Sequence, residues 1–325
     1  MANIKDVAKL ANVSVATVSR VINEKGYVHE KTKEQVLDAI KSLNYLPNEV
    51  ARSLYRKSTN SIGVLIPALN NEFYNTMITE MDQVILEHGY NMMLCMTKDD
   101  AAREKDYLRL LATSKVSGLI ICANLINIEY YQSLAIPAVS LEHNICPTIP
   151  SVTANNLMGG KIAARELLKR GCQNIVQFRG PSNITSSRQR SQGFLQELRN
   201  FPHIKVHNVD TDFLDDLSDN ISVFLSTRPE IDGIFTVSDH IAAKVMRCLN
   251  DLNKRVPQDV QLIGYDNLSI CENSIPSLST IAQPMYDMGS LTATLLFKLL
   301  AGEKPENLHV ELPVKFILRE STSTL

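Results

Sequence analysis

The sequence predicts a small all-α helix-turn-helix head followed by a two-lobed α/β core built on parallel sheets. Three observations lead there. The first 47 residues carry short helical patterns joined by a tight turn, and the rest alternates apolar runs of strand length with amphipathic helices. The strands number roughly ten in two series, too many for one comfortable sheet and suited to two similar lobes.

In the head, Asn3 can cap a first helix whose apolar face carries Val7, Leu10 and Ala11. That helix ends near Asn12, because asparagine accepts the left-handed backbone of a turn. Ser14 can then cap a second helix over residues 15–23. A third, over roughly 31–43, turns Val36, Leu37 and Ile40 inward, and Pro47 closes the unit. The polar stretch from Asn48 to Ser61 reads as a linker, so the chain divides into 1–47, 48–60 and 61–325.

In the core, strands are expected at 62–66, 92–95, 118–121 and 138–141, then at 175–179, 233–237 and 261–265, with a last one over 312–318. Helical patterns lie at about 73–88, 102–114, 156–170, 188–199, 217–227 and 238–252. One lobe takes 61–155 plus 284–311, the other 156–283 plus 312–325. Ligands bind at the carboxyl ends of such strands, so two facing lobes imply a cleft that closes about a hinge.

Composition narrows the function. The N-terminus lacks the charged and apolar stretches of a signal peptide, and nothing approaches the ~18 apolar residues of a membrane span, so the cytoplasm is the expected address. The six cysteines are scattered without a C-x-x-C pair, which points to reduced, mostly buried thiols rather than disulfides or zinc. The net charge of −2 hides an asymmetry: residues 1–60 hold 10 Lys+Arg against 6 Asp+Glu, the remainder 23 against 29. A basic head on an acidic body means that only the head is suited to phosphate. No phosphate loop, dinucleotide fingerprint, nucleophile elbow or H-E-x-x-H is present, and the histidines show no ligating spacing. No enzyme, cofactor or metal is expected.

The second helix buries Val18 and presents Val15, Ala16, Thr17, Ser19 and Arg20 outward, while Ala8 and Val13 pack the turn. Thr17, Ser19, Arg20 and Asn23 can bond phosphates or base edges in a major groove.

Asp6-Val7-Ala8, the run from Ala16 to Asn23, Leu43-Asn44-Tyr45 and Ala51-Arg52-Ser53-Leu54 resemble the LacI/GalR family of bacterial transcriptional repressors. The likeness continues through Val116 to Ile120, Asn156 to Gly160, Arg190 with Gly193-Phe194, Ile263 to Asn267 and Leu278 to Ile281, and is greatest to the sucrose and ribose operon repressors. It implies a periplasmic-binding-protein-like core and a sequence-specific DNA-binding regulator of a carbohydrate operon, controlled allosterically by a small sugar or sugar phosphate. Within the family a purine- or nucleoside-responsive repressor is the alternative. A sugar-binding protein without regulatory role is a third reading, against which the head argues.

By this resemblance Val15 and Ala16 occupy the positions that most distinguish operators, and Arg20 reads a base. Small apolar side chains can touch thymine methyls but cannot form bidentate hydrogen bonds, which leaves Arg20 and groove shape to discriminate. Tyr27, Asn48, Ala51 and Leu54 join the DNA-contacting set, the segment 48–55 folding into a hinge helix on DNA and Leu54 wedging into a minor-groove step. Two positions depart from the family pattern: Asn12 replaces a frequent Gly, and His29 replaces a small capping Ser that contacts phosphate. For the effector, Arg190 and Asp266 supply a donor fork and an acceptor for hydroxyls, Phe73 and Phe213 can stack on a ring, and Glu142, Asp239 and Gln283 fall at strand ends. No leucine-heptad tail comes after the last strand, so the resemblance implies a homodimer on palindromic double-stranded DNA.

Overall fold

Asn3 opens the first helix by accepting the Lys5 and Asp6 N–H groups at 2.9 and 3.3 Å, while the Asp6 carboxylate takes the Asn3 N–H at 2.8 Å. Three otherwise unpaired donors of the helix start are thereby satisfied, those of Asn3 and Asp6 reciprocally. The computed structural model describes residues 2–22, 26–45, 59–123, 126, 128–211 and 218–324. Asn23, Asn48, Ala51, Leu54 and Phe213, with the expected hinge helix, lie outside the described residues. The chain forms two units, Met1–Asn60 and Ser61–Leu325.

In the first unit α1 (Ile4–Leu10), α2 (Val15–Ile22) and α3 (Glu30–Ser42) enclose a small core. Asn12 takes φ 53° in the α1–α2 turn, and the Ser14 hydroxyl accepts the Thr17 N–H at 3.1 Å to start α2. Val7, Val18 and Val36 are fully buried and pack with Ala8, Ala11, Val21, Ala39 and Tyr45. Two expected core residues face out instead: Leu10 is 55% exposed and Leu37 49%. The buried stripes run through positions 7, 8 and 11 on α1 and 36 and 39 on α3, and each leucine stands one residue off its stripe, about 100° around the helix.

The second unit contains two six-stranded sheets. The first consists of β1 (Ser61–Ile66), β2 (Asn91–Met96), β3 (Gly118–Ile121), β4 (Ala138–Leu141), β5 (Ser151–Ala154) and β11 (His309–Leu312), all parallel in the order β11-β5-β4-β3-β1-β2. The second consists of β6 (Asn174–Arg179), β7 (Lys205–Asp210), β8 (Gly233–Thr236), β9 (Gln261–Asp266), β10 (Ser279–Ala282) and β12 (Lys315–Ile317), in the order β12-β10-β9-β8-β6-β7 with β12 antiparallel. The strand expected over 312–318 is in fact two strands in different sheets. Pro313 between them has no N–H to give a ladder, and the chain changes lobes there.

Helices cover the sheets. On the first lobe, α4 (Glu72–Glu87) buries Phe73, Met77, Met81 and Ile85, an i, i+4 stripe, and packs with α12 (Met285–Leu300) over an apolar core. α5 (Ala101–Thr113) and α6 (Ile128–Ser133) close the other side, where the buried Glu104 carboxylate accepts the Tyr131 hydroxyl. On the second lobe, α7 (Asn156–Lys169), α8 (Thr185–Leu198), α9 (Ser218–Ser226), α10 (Asp239–Asp251) and the short α11 (Ile270–Asn273) surround a larger core. The chain passes between the two sheets three times, after β5, after β10 and after β11.

Helices α7 and α8 approach each other through two glycines. A Cβ on Gly160 would collide with the Arg190 carbonyl oxygen, and one on Gly193 with the Leu157 carbonyl oxygen. Only glycine at both places lets the two backbones come this close, and that contact sets the position of Arg190 on α8.

Candidate functional site: a helix face and a buried cleft cluster

On the head, α2 separates its faces cleanly. Val18 and Val21 are buried, while Val15, Ala16 and Arg20 are exposed and Thr17 and Ser19 half-exposed. Tyr27, beyond α2, is 88% exposed. An uncovered row of one cation, two hydroxyls and two small apolar groups on a second helix has the composition of a groove-reading surface. The His29 side chain makes no cap bond at the start of α3.

In the second unit, polar groups converge at the carboxyl ends of the strands. Arg190, on α8, sends Nε to Asn156 Oδ1 at 2.7 Å and Nη1 to the Val237 carbonyl at 2.7 Å and Asp266 Oδ1 at 3.2 Å. Its Nη2 lies 3.9 Å from Glu142 Oε2, and its guanidinium stacks 3.8 Å over the Tyr265 ring. Asp266 Oδ1 also accepts Gln283 Nε2 at 2.7 Å. Asp266 and Glu142 hold left-handed backbones, φ 117° and 66°, each turning its carboxyl off the end of its strand. Glu142 comes from the first lobe; Arg190, Asp266 and Asn156 come from the second.

The cluster is dry. Glu142, Arg190, Asp239, Asp266 and Gln283 are each less than a tenth exposed. Burial raises the Asp266 and Glu142 carboxyls above their ordinary range, opposed in each by the charge of Arg190. Asp239 is pushed up to about 7 by burial and by the neighbouring charge of Asp266. Gln283 Oε1 is buried with no hydrogen-bond partner.

The sequence-predicted residues therefore divide. Arg190, Asp266, Gln283 and Glu142 meet in one cluster. Phe73 is 7% exposed, belongs to the apolar stripe of α4, and meets Tyr74 edge-on at 5.2 Å. Asp239 turns inward, accepting Thr280 Oγ1 at 2.7 Å and the Leu268 N–H at 2.9 Å, in space that glycine at position 264 leaves open. It braces the strand ends behind Asp266 rather than facing a ligand. Sequence reasoning missed Asn156, Tyr265, the Val237 carbonyl and Tyr74, whose hydroxyl sits in the fields of Glu142, Asp99 and Arg190. Asn156 and Tyr265 stand inside the motifs that carry the resemblance, but nothing in their spacing assigns them a partner. A separate groove of about 660 Å³ on the second lobe is lined by Arg179, Ser187, Arg188, Ser191, Arg199 and Asp210 among others. Among the described residues no group of His, Cys, Asp or Glu is arranged to hold a metal, all six cysteines are buried and outside any disulfide, and no helix is long and apolar enough to cross a membrane.

A helix face of groove-reading composition on one unit and a buried polar cluster drawn from two lobes in the other are the features of a ligand-responsive DNA-binding regulator. Comparison with known proteins names the family. Residues 3–48 match the bacterial regulatory proteins of the lacI family, and residues 164–322 match the periplasmic binding protein-like domain. The chain is 39% identical over 323 residues to the ribose operon repressor of Halalkalibacterium halodurans, covering 99% of this chain and 97% of that one. It is 35% identical to the sucrose operon repressor of Streptococcus mutans, with 99% of each chain covered. Among solved structures, the lac repressor dimer bound to operator and the anti-inducer ONPF superposes with a TM-score of 0.89 at 25% identity, covering 99% of both chains. The chain belongs to the LacI family of bacterial regulatory proteins, and these two relatives are named as operon repressors.

Proposed function

We propose that this protein is a cytoplasmic, homodimeric repressor of a carbohydrate-utilisation operon, binding a palindromic operator through α2 and the segment after α3, and controlled by a sugar in the cleft. The observation that carries the reading is the Arg190–Asp266–Gln283 cluster: a donor fork, a carboxylate and an unsatisfied amide oxygen at the ends of parallel strands, between two lobes that a hinge can close. Names of the relatives support it, since ribose and sucrose operon repressors are similar along almost the whole chain.

Arg20, Val15, Ala16, Thr17 and Ser19 make the base and phosphate contacts, with Tyr27 at the edge and Asn23, Asn48, Ala51 and Leu54 completing the set. Arg190, Asp266, Gln283 and Glu142 bind the effector, with Phe213 stacking on it. Bound sugar holds the lobes together and so changes the spacing of the paired heads, at a coupling of about 1–3 kcal/mol. Fluorescence anisotropy with duplex from the gene's own upstream region, with and without ribose, fructose and sucrose, tests the proposal. A sugar-dependent change in affinity for a palindromic site is the expected result; sugar binding without any such change contradicts it.

A further inference from the structure

Among the described residues, four buried side-chain polar atoms have no hydrogen-bond partner, and three of them belong to one region of the second lobe. They are Ser187 Oγ on α8, Arg179 Nε at the end of β6 and, two residues earlier on the same face of that strand, Gln177 Oε1. Buried polar groups are nearly always satisfied, so a local concentration of unmet ones marks a place where a ligand can complete them. Ser187 and Arg179 line the groove of about 660 Å³, a size that suits a small molecule.

The groove is cationic on an acidic body. Arg179, Arg188 and Arg199 line it against one carboxylate among the described residues, Asp210, which pairs with Arg179 at 2.7 Å. Arg188 donates Nη1 to the Ser182 carbonyl at 3.0 Å and Nη2 to Thr185 Oγ1 at 3.3 Å, which lays its guanidinium over the turn after β6. Neither Arg188 nor Arg199 meets a carboxylate among the described residues. Ser187 and Ser191, 2% and 8% exposed, lie at the base, and the exposed Arg188 and Arg199 form the rim. Residues 61–325 carry 23 Lys+Arg against 29 Asp+Glu, so this local excess of positive charge runs against the composition around it and draws anions to one place.

We propose that this groove is a second small-molecule site, separate from the cleft, and that it takes a phosphate monoester, with the phosphoryl group between Arg179 and Arg188 over the Ser187 hydroxyl. Such a group carries nearly two negative charges and three strong acceptor oxygens. They match the Arg179 Nε–H, the Ser187 hydroxyl and the N–H groups that Arg188 does not commit to Ser182 and Thr185. A neutral sugar brings no charge to the guanidinium groups. Arg199 stands eleven residues beyond Arg188 on the same side of the helix, about 16 Å along its axis, and so faces the far end of the ester. Arg190, two residues from Arg188 and about 200° around α8, points into the cleft cluster instead. One helix thus serves two sites, and the inference stands whatever the cleft binds.

Isothermal titration of the full-length protein at near-physiological salt uses ribose 5-phosphate, fructose 6-phosphate and AMP as esters, with gluconate as a carboxylate. At least one ester binds once per chain, and Arg188→Ser weakens that binding at least about tenfold. Ser187→Ala weakens it roughly three- to tenfold while leaving the melting temperature unchanged or raised, because the hydroxyl it removes has no partner within the protein. A fall in melting temperature with ester binding intact assigns Ser187 to the fold alone and overturns the inference. So does the absence of binding by all three esters up to about 10 mM. Ester binding that Arg188→Ser leaves unchanged and Asp266→Asn abolishes belongs to the cleft, and binding lost only in Arg20→Ala belongs to the head; either result overturns it. Gluconate bound as tightly as the ester, and lost equally in Arg188→Ser, overturns the assignment to phosphate.

Discussion

Ser269 donates both its backbone N–H, at 2.9 Å, and its hydroxyl, at 2.8 Å, to the two carboxylate oxygens of Glu72. Glu72 begins α4 of the first lobe, and Ser269 stands three residues beyond Asp266 on the loop leaving β9 of the second. Between them, Leu268 buries its side chain in the first-lobe core while its N–H is held by Asp239. The loop that presents Asp266 is therefore also the loop that fastens the lobes together. Glu72→Ala removes two hydrogen bonds to a carboxylate in an exposed setting, an effect of about 1 kcal/mol after solvent screening. Effector affinity should fall roughly three- to tenfold by calorimetry, with the melting temperature little changed.

Gly160→Ala is expected to be far more disruptive than its one methyl suggests. The added carbon meets the Arg190 backbone carbonyl, which cannot swing aside like a side chain, so α7 and α8 must separate. Overpacking of this kind costs about 1–3 kcal/mol or more. Calorimetric unfolding should show the loss, and effector binding should fall with it because Arg190 moves. Full stability with unchanged binding would show that the two helices have slack at that contact.

Much of the fold was legible in the sequence, unevenly so. Asn12 was readable as a turn and Ser14 as a helix start because their chemistry is local: one tolerates a positive φ, the other bonds a nearby N–H. Arg190 and Asp266 were readable because a resemblance placed them. β5, β7 and β10 were not. β5 and β10 are four residues long, and β7, at a sheet edge, alternates polar residues without a fully buried position. Phe73 is ambiguous because an aromatic residue at the start of a helix serves a core stripe and a sugar platform equally well in one dimension. Which face it takes depends on α12, some two hundred residues later in the chain. Asp239 misled similarly, since its partners Thr280 and Leu268 are remote in sequence.

Stability should decline as pH rises from about 4 to about 7. Asp239 ionises near its ordinary value of 3.8 in the unfolded chain but only at about 7 when folded, so across that window the folded state keeps a proton that the unfolded state has released. The penalty is absent below the lower value and complete above the upper one. Glu142 and Asp266 are shifted in the same direction. Asp239→Asn, which imitates the protonated form, should flatten the slope of melting temperature against pH without abolishing it. An unchanged slope in the variant would contradict the assignment.

Arg20→Ala should cost roughly 1–3 kcal/mol of specific binding and compress the preference for operator over random duplex, because the small Val15 and Ala16 cannot replace a bidentate contact. A competition assay with scrambled duplex measures this. Equal losses on both duplexes would mean that Arg20 touches only phosphate.

The proposed coupling between α2 and the cleft is read out by operator affinity titrated against sugar concentration. At near-physiological salt the protein should prefer a palindromic upstream site over a scrambled duplex by at least about 1,000-fold. A saturating sugar should then shift operator affinity by roughly 5- to 150-fold. Equal affinity for both duplexes, unmoved by any sugar that the cleft binds, would show that no such coupling exists.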